Sequence, residues 1–390
     1  MPVARTLPTQ EAMALLDLTV DLAERELRPR VTDDERAARF PRDIFLTLGR
    51  AGLLGLPYPE EFGGGAQPYE VYLQVIEELA GAWLAVGLGL SVHTLSAFPT
   101  AAFGSEEQKR DLLPGMVGGE LLGAYCLSET NSGSDAAALA TTGVRDGEEY
   151  RVRGTKAWVT HGGVADYYNV FVRTGPPGAG GISTLLIDAG TAGMAPQPAE
   201  HKMGMSSSPT AQIVFDDAVV AVSRRIGDEG QGFRIALAAL DGGRLGIAAC
   251  AVGVAQSALD YAVGYAQERK QFGRAILDFQ GLGFLLADLA TEVAAARALY
   301  LDAARRRDAG KPYGPQAAMA KLFATDMVMR VTTDAVQVLG GAGYVEDHPV
   351  ERWMREAKVL QIVEGTSQVQ RLVIARSLSA TAHPAGGGSA

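Results

Sequence analysis

An α+β protein, with helices and strands kept to separate stretches, is what the sequence predicts, and three observations predict it. Helical periodicity fills the first ~120 residues. Short β-rich runs punctuated by glycine pairs follow for about 100 residues. Long periodic segments joined by short loops then return from near Gly227, and helices, strands, helices in that order define segregated layers. At 390 residues the chain exceeds what one hydrophobic core usually serves, so two or three domains are expected. The expected boundaries are 1–121 for the N-terminal helices, 122–225 for a small all-β domain and 226–380 for a C-terminal helical bundle. Residues 381–390, rich in Ala, Gly, Pro and Ser, are expected to be a disordered tail.

Glu11 to Arg28 carries Met13, Leu16, Val20, Ala23 and Leu27 at helical spacing, and Pro29 is expected to stop that helix. Pro41 opens the next, Arg42 to Gly49. Gly63-Gly64-Gly65 reads as a flexible loop and Tyr69 to Leu90 as one long apolar helix. Ser105 caps a helix from Glu106 to Leu113 that Pro114 is expected to end. Strands are expected at Tyr150–Gly154, Lys156–Thr160, Tyr168–Val172, Ser183–Ile187 and Ala211–Phe215. Helices follow at Phe233–Leu240, Leu245–Arg269, Gln280–Asp308, Gly314–Leu339 and Pro349–Leu360, the pattern of a bundle.

The net charge of −10 argues against nucleic acid as the main partner, while a local basic site for an anionic ligand stays possible. Cys126 and Cys250 are too few for a disulfide framework and read as free thiols of a reducing, cytoplasmic setting. The start of the chain has no signal-like apolar stretch. Trp83 to Leu90, the most apolar run, is shorter than the ~20 residues a bilayer span needs.

Ile362-Val363-Glu364-Gly365-Thr366-Ser367-Gln368 carries the most chemical information. Apolar neighbours disfavour the charged carboxylate and raise its pKa toward the working range of a general base. Gly365 lets a ligand approach the backbone. A surface glutamate in a helix-connecting loop is the alternative. Trp158 is either strand core or an aromatic plate against a planar cofactor, with Thr160 as donor. Tyr125 to Asp135 is a turn cluster or a polar ligand loop. Gly340, Gly341 and Gly343 allow a helix cap or a close approach, without the strand and helix a dinucleotide fingerprint requires. Arg269 to Arg274 complements a helix dipole or binds pyrophosphate. The five histidines have no metal-ligand spacing on one helix face, so no metal is expected. No G-x-S-x-G occurs, and Cys126 reads as an inert buried thiol.

Taken with the helix–strand–helix order, Tyr125-Cys126-Leu127-Ser128-Glu129, Trp158-Val159-Thr160, Gln337-Val338-Leu339-Gly340-Gly341 and Val363-Glu364-Gly365-Thr366-Ser367-Gln368-Val369-Gln370-Arg371 make the chain resemble the acyl-CoA dehydrogenase family. The resemblance runs from about Leu15 to Leu378 and is nearest the short-chain and short branched-chain members. It implies an N-terminal helical domain, a barrel-like middle β-domain, a C-terminal four-helix bundle, bound FAD and a homotetramer. Tyr125, Cys126, Leu127, Ser128, Ser132, Gly133 and Ser134 would hold the flavin from the β-domain. Trp158, Val159 and Thr160 would border its ring. Arg269, Phe272, Gln280, Gln337, Val338, Leu339, Gly340 and Gly341 would reach the ADP half, in part from a neighbouring subunit. Thr366, Ser367 and Gln368 would close over the cofactor. Ser134, Ser208, Asp241, Gly242, Gly243, Arg244 and Gly365 match positions that contact acyl-CoA.

Glu364 matches the base that removes the α-proton of the thioester, with β-hydride passing to flavin N5 to give a trans-2-enoyl-CoA and electrons then passing to an electron-transferring flavoprotein. A short straight or branched acyl group is the expected substrate. The resemblance also leaves a same-fold oxidase or monooxygenase using O2, signalled by peroxide, or a degenerate non-catalytic homologue, signalled by failure to bind flavin. Three positions depart from the family pattern. Gly243 stands where some members carry the base, Val363 where tyrosine is common, and His161 where asparagine often follows the Trp-x-Thr. His161 is expected to be a solvated loop residue.

Overall fold

The structure, a computed structural model, describes Val3 and residues 5–382. It divides into two compact units, one of residues 5–243 and the other from Arg244 onward, with the division inside a single long helix.

The first unit opens with six helices: α1 (Gln10–Leu22), α2 (Val31–Arg36), α3 (Arg42–Arg50), α4 (Tyr69–Ala82), α5 (Leu84–Phe103) and α6 (Glu106–Gly118). The buried stripe of α1 is Ala12, Leu16 and Thr19, continuing to Ala23 and Leu27. Met13 and Val20, expected to be inside, are exposed. Small Ala12 and Thr19, whose hydroxyl donates to Leu15 O at 2.7 Å, take the inner face. A π-helical turn over Ala23–Leu27 then shifts the phase.

The expected single helix from Tyr69 to Leu90 is two. Trp83 is extended (φ −154°, ψ 106°) and fully buried, and its indole N–H donates to Glu35 at 2.8 Å. An interior hydrogen-bond partner fixes the break that composition could not signal. Pro114 does not stop α6. A capping box between Ser105 and Gln108 starts that helix, and left-handed Gly119 closes it, with Leu121 N–H returning to Gly115 O at 2.9 Å. The glycines at 63–65 are packed rather than loose: a Cβ on Gly64 would lie 2.2 Å from Tyr58 O.

Eight strands form one sheet in the order β6-β7-β3-β2-β4-β5-β8, with β1 parallel to β4. They are β1 (Gly123–Cys126), β2 (Thr142–Asp146), β3 (Glu149–Thr160), β4 (Tyr167–Arg173), β5 (Ile182–Asp188), β6 (Met194–Pro196), β7 (Thr210–Ala221) and β8 (Arg225–Ile226). The two runs expected at 150–154 and 156–160 are one strand, bent by bulges where its pairing with β7 slips. One face packs on itself through Tyr150, Val152, Tyr168, Val170 and Ile213. Tyr167, Leu186 and Ile226 instead meet Ala97, Leu113 and Met116 of the helices, so strands and N-terminal helices share a core.

The helices expected at 233–240 and 245–269 are one, α7 (Gly232–Glu268), which continues through Gly242-Gly243. Gly242 is there for closeness: its Cβ would lie 2.9 Å from the Tyr69 hydroxyl. In the second unit a two-residue hairpin, β9 (Lys270–Gln271) and β10 (Arg274–Ala275), precedes α8 (Gln280–Asp308) and α9 (Gly314–Leu339), whose bounds match the sequence reading. The last expected helix is shorter, α10 (Val350–Ala357), because its end tightens into a 3-10 turn over Lys358–Gln361. Helix α11 (Ser367–Ala382) pairs with α9 and takes in residues 381 and 382 of the expected tail; residues 383–390 lie outside the described residues. Helices α5 and α7 are long and apolar enough to cross a bilayer, and both are mostly buried within the protein.

Buried Glu35 of α2 accepts from Trp83, from Ser207 N–H at 3.3 Å and from the Ser207 hydroxyl at 2.5 Å. Glu35→Ala orphans all three donors and is expected to cost about 2–4 kcal/mol, read by urea denaturation.

Candidate active site

In the second unit Glu364 follows the 3-10 turn after α10. It is left-handed at φ +52°, and Gly365 follows at φ +92°. A non-glycine residue in this region costs of order 1 kcal/mol, and such strain collects at functional sites. Glu364 as a residue is half-buried, yet both carboxylate oxygens are closed off and have no hydrogen-bond partner among the described residues. Burial pushes its pKa up to about 7, with Lys321 and Arg244 pulling the other way. The segment does connect two helices, but its carboxylate is turned inward rather than into solvent.

The turn is held through its carbonyls. The buried Lys321 ammonium donates to Gly365 O at 2.8 Å, and the Gln370 amide donates to Glu364 O at 3.2 Å and Gly365 O at 2.9 Å. A Cβ on Gly365 would sit 2.7 Å from that amide. Thr366 caps α11 by accepting from Val369 N–H at 3.3 Å. The Ser367 hydroxyl is spent on Asp326, which also accepts from Gln361 and Arg371. Gln368 stays exposed beside a cleft of about 380 Å³ that also involves Lys358 and Arg371.

Arg244 is buried on α7, close enough for its charge to act on Glu364. Gln337, Gly340 and Gly341 are exposed at the end of α9, and a Cβ on either glycine would meet open space. Val338 and Leu339 bury their side chains, leaving only backbone for a ligand. Arg269 and Gln280 are exposed. Phe272 is 94% exposed at the tip of the hairpin, left-handed with Gly273. Its ring meets Phe279 edge-on, and Arg274 stacks on Phe279 at 4.0 Å.

In the first unit Trp158 is 62% exposed at φ +61°, on the bulge where β3 slips against β7. The core alternative fails: the bulge turns the indole outward, while Val159 is buried and Thr160 half-buried beside it. The Tyr125–Asp135 loop has a built interior. Glu129 accepts from Ala140 N–H, Thr141 N–H and the fully buried Lys156 ammonium, and Lys156 also donates to Leu127 O. Gly133 and Ser134 are exposed and Ser128 is half-buried. The Ser132 hydroxyl donates to Asp135 O. Tyr125 donates to Ala236 O at 3.2 Å. Cys126 and Leu127 are buried, and burial pushes the Cys126 thiol up to about 12, so it is inert. Ser208 is buried next to Ser207, Gly243 is buried, and Asp241 and Gly242 are half-buried on α7.

His161 overturns its reading as a solvated residue. It is fully buried, edge-on to Phe40 and Phe45 at 5.5 Å. Its Nδ1–H donates to Gly123 O at 2.9 Å, while His93 Nδ1 accepts from Gly123 N–H at 3.1 Å. Two neutral imidazoles thus clamp the residue that begins β1. Lys156, Glu129, His93, Lys321 and Gln370 were given no part in the site by the sequence reading, because buried polar residues look like surface ones in composition. Glu129 and Gln370 lay within quoted motifs and Lys156 two places before Trp158, whereas His93 and Lys321 had no local signal.

The family description "Acyl-CoA dehydrogenase, N-terminal domain" matches residues 9–120, the middle-domain description 124–218 and the C-terminal-domain description 230–379. These three matches define the class, a flavoprotein oxidoreductase of fatty-acid metabolism. The chain belongs to the acyl-CoA dehydrogenase family. It is 42% identical to the short-chain-specific acyl-CoA dehydrogenase of Clostridium acetobutylicum, over 94% of this chain and 97% of that one. It is also similar to the butyryl-CoA dehydrogenase structure from Megasphaera elsdenii (TM-score 0.94, 39% identity, 96% of this chain and 100% of that one). A structure solved in work on the electron-transferring flavoprotein of Acidaminococcus fermentans has TM-score 0.94 and 43% identity, over 96% and 99% of the two chains.

Two pH dependences follow. Glu364 has a folded pKa of about 7 against 4.5 unfolded. Between those values the folded chain keeps a proton that the unfolded chain releases, so this group costs stability as pH rises. Glu364→Gln should melt like the parent at pH 4.5 and gain about 1–3 kcal/mol at pH 8. Burial holds His161 at about 4 against 6.5, so its contribution is present above 6.5 and lost as pH falls through 4. His161→Leu, at φ +64° and with Gly123 O orphaned, should lose about 2 kcal/mol or more. His161→Asn should lose less, since asparagine tolerates this backbone and can still donate, and should flatten part of the acid-side loss in thermal scans.

Proposed function

We propose that this enzyme catalyses FAD-dependent α,β-dehydrogenation of a short acyl-CoA, with Glu364 as the base for the α-proton. The single observation that carries the reading is the Glu364 carboxylate, closed off, unpartnered and raised to about 7. A thioester α-proton is weakly acidic, and a base poised near neutrality accepts it without being fully protonated beforehand. Among the described residues the Glu364 N–H donates to no acceptor, which suits stabilisation of negative charge developing on the thioester oxygen.

The residues present fit FAD. The outward indole of Trp158 and the half-buried Thr160 suit a planar ring with polar edges. Exposed Ser134 and Gly133, and open Gly340 and Gly341, suit a close backbone approach. Exposed Arg269, Phe272 and Gln280 suit the ADP half, in a homotetramer partly from a neighbouring copy. When bound, FAD supplies the hydride acceptor. The chain's residues orient the thioester, exclude water from Glu364 and hold the abstracted proton on its carboxylate. Ser208, Arg244 and Gly365 are proposed to line the acyl-CoA path. The short-chain and butyryl names of similar proteins support a short acyl group, and the Acidaminococcus relation supports an electron-transferring flavoprotein as acceptor.

Glu364→Gln is expected to retain bound yellow flavin and to lose anaerobic bleaching by butyryl-CoA by at least ~10³-fold. Bleaching at the parent rate would remove Glu364 as the base. Titration of the parent enzyme with a panel of acyl-CoAs reads chain preference, strongest at short chains on this reading.

A further inference from the structure

Nothing in the proposed reaction assigns a part to Lys321. It sits on α9 with its side chain fully buried, a costly place for an ammonium. Among the described residues its ammonium makes one hydrogen bond, to the carbonyl of Gly365, the residue after the proposed base. Among the described residues, the charged groups acting on Glu364 are Lys321 from α9 and Arg244 from α7, and the buried Cys250 thiol of α7 feels the acid's charge in turn. Asp326, five residues along α9, favours the charged form of Lys321, while Arg244 opposes it. Burial lowers Lys321 to about 8, so the ammonium is present through neutral pH.

We propose that Lys321 is the positioning residue of the base: it locks the left-handed Glu364-Gly365 turn through the Gly365 carbonyl and places beside the acid the cation that lets it ionise. The inference rests on Glu364 being the base. Two functions meet in one side chain. The hydrogen bond fixes the backbone from which the carboxylate projects, jointly with Gln370. The charge offsets desolvation, without which a closed-off acid would stay protonated and could accept nothing.

The test separates the two roles in the purified holoenzyme. Lys321→Met removes hydrogen bond and charge; Lys321→Gln removes the charge and keeps a donor for Gly365 O; Lys321→Arg keeps both. The Glu364 protonation midpoint is read by infrared spectroscopy from the carboxylic acid C=O band, assigned by its disappearance in Glu364→Gln. The acid limb of kcat/KM against pH is recorded in parallel. Lys321→Met and Lys321→Gln should move the midpoint and the acid limb upward by about one pH unit or more, while Lys321→Arg leaves both near the parent position. An unmoved midpoint in Lys321→Met, with only a lower melting temperature, would reduce Lys321 to a structural residue. If Lys321→Met fails to fold, Lys321→Gln decides by the same criterion. Activity that survives Glu364→Gln would instead sink the base assignment, and the infrared midpoint still reports on Lys321.

Discussion

The account depends on a carboxylate that is closed off from water and that no hydrogen bond among the described residues satisfies. Leaving a buried acid unpartnered costs free energy, and here that cost holds Glu364 near half-ionisation at neutral pH. The backbone beneath it is equally unusual, with two consecutive left-handed residues, the first with a side chain. Such a turn persists only when its surroundings over-determine it. Lys321 and Gln370 supply that determination from α9 and α11, both through main-chain carbonyls, so the carboxylate itself is left uncommitted.

The first unit applies the same logic to different groups. Lys156 and Glu129 neutralise one another inside the loop after β1 and spend their remaining valences on Leu127, Ala140 and Thr141. His93 and His161 hold both polar groups of Gly123. The charges of the loop interior are thereby paired, and Gly133, Ser134 and the Trp158 indole are left facing outward. Buried polar networks of this kind favour one arrangement strongly, because a half-satisfied alternative leaves a charge or donor orphaned.

Much of this was legible in the sequence. The order of helices, strands and helices and the bounds of α8 and α9 followed from periodicity, whereas the Glu364 segment read locally as either a general base or a surface loop, and only the family resemblance favoured the base. The failures have physical causes. The break at Trp83 depends on Glu35, distant in sequence, and Gly242, read as a helix end, is instead a mid-helix glycine whose missing Cβ leaves room for Tyr69. Pro114 stayed inside α6 because the cap at Gly119 lies further on. His161 looked like a loop residue because its partners, Phe40, Phe45 and Gly123, lie 38 or more positions away in the chain. Local propensity sees none of these contacts.

Hydrogen–deuterium exchange at the thioester α-carbon tests the central claim most directly. Holoenzyme and butyryl-CoA are incubated anaerobically in D2O, and the acyl group is analysed by mass spectrometry. The parent enzyme should introduce deuterium at the α-carbon, and the Glu364→Gln variant with full flavin content should introduce none above the buffer rate. Exchange in that variant at the parent rate would mean that another group removes the proton and that the isolated acid serves some other purpose.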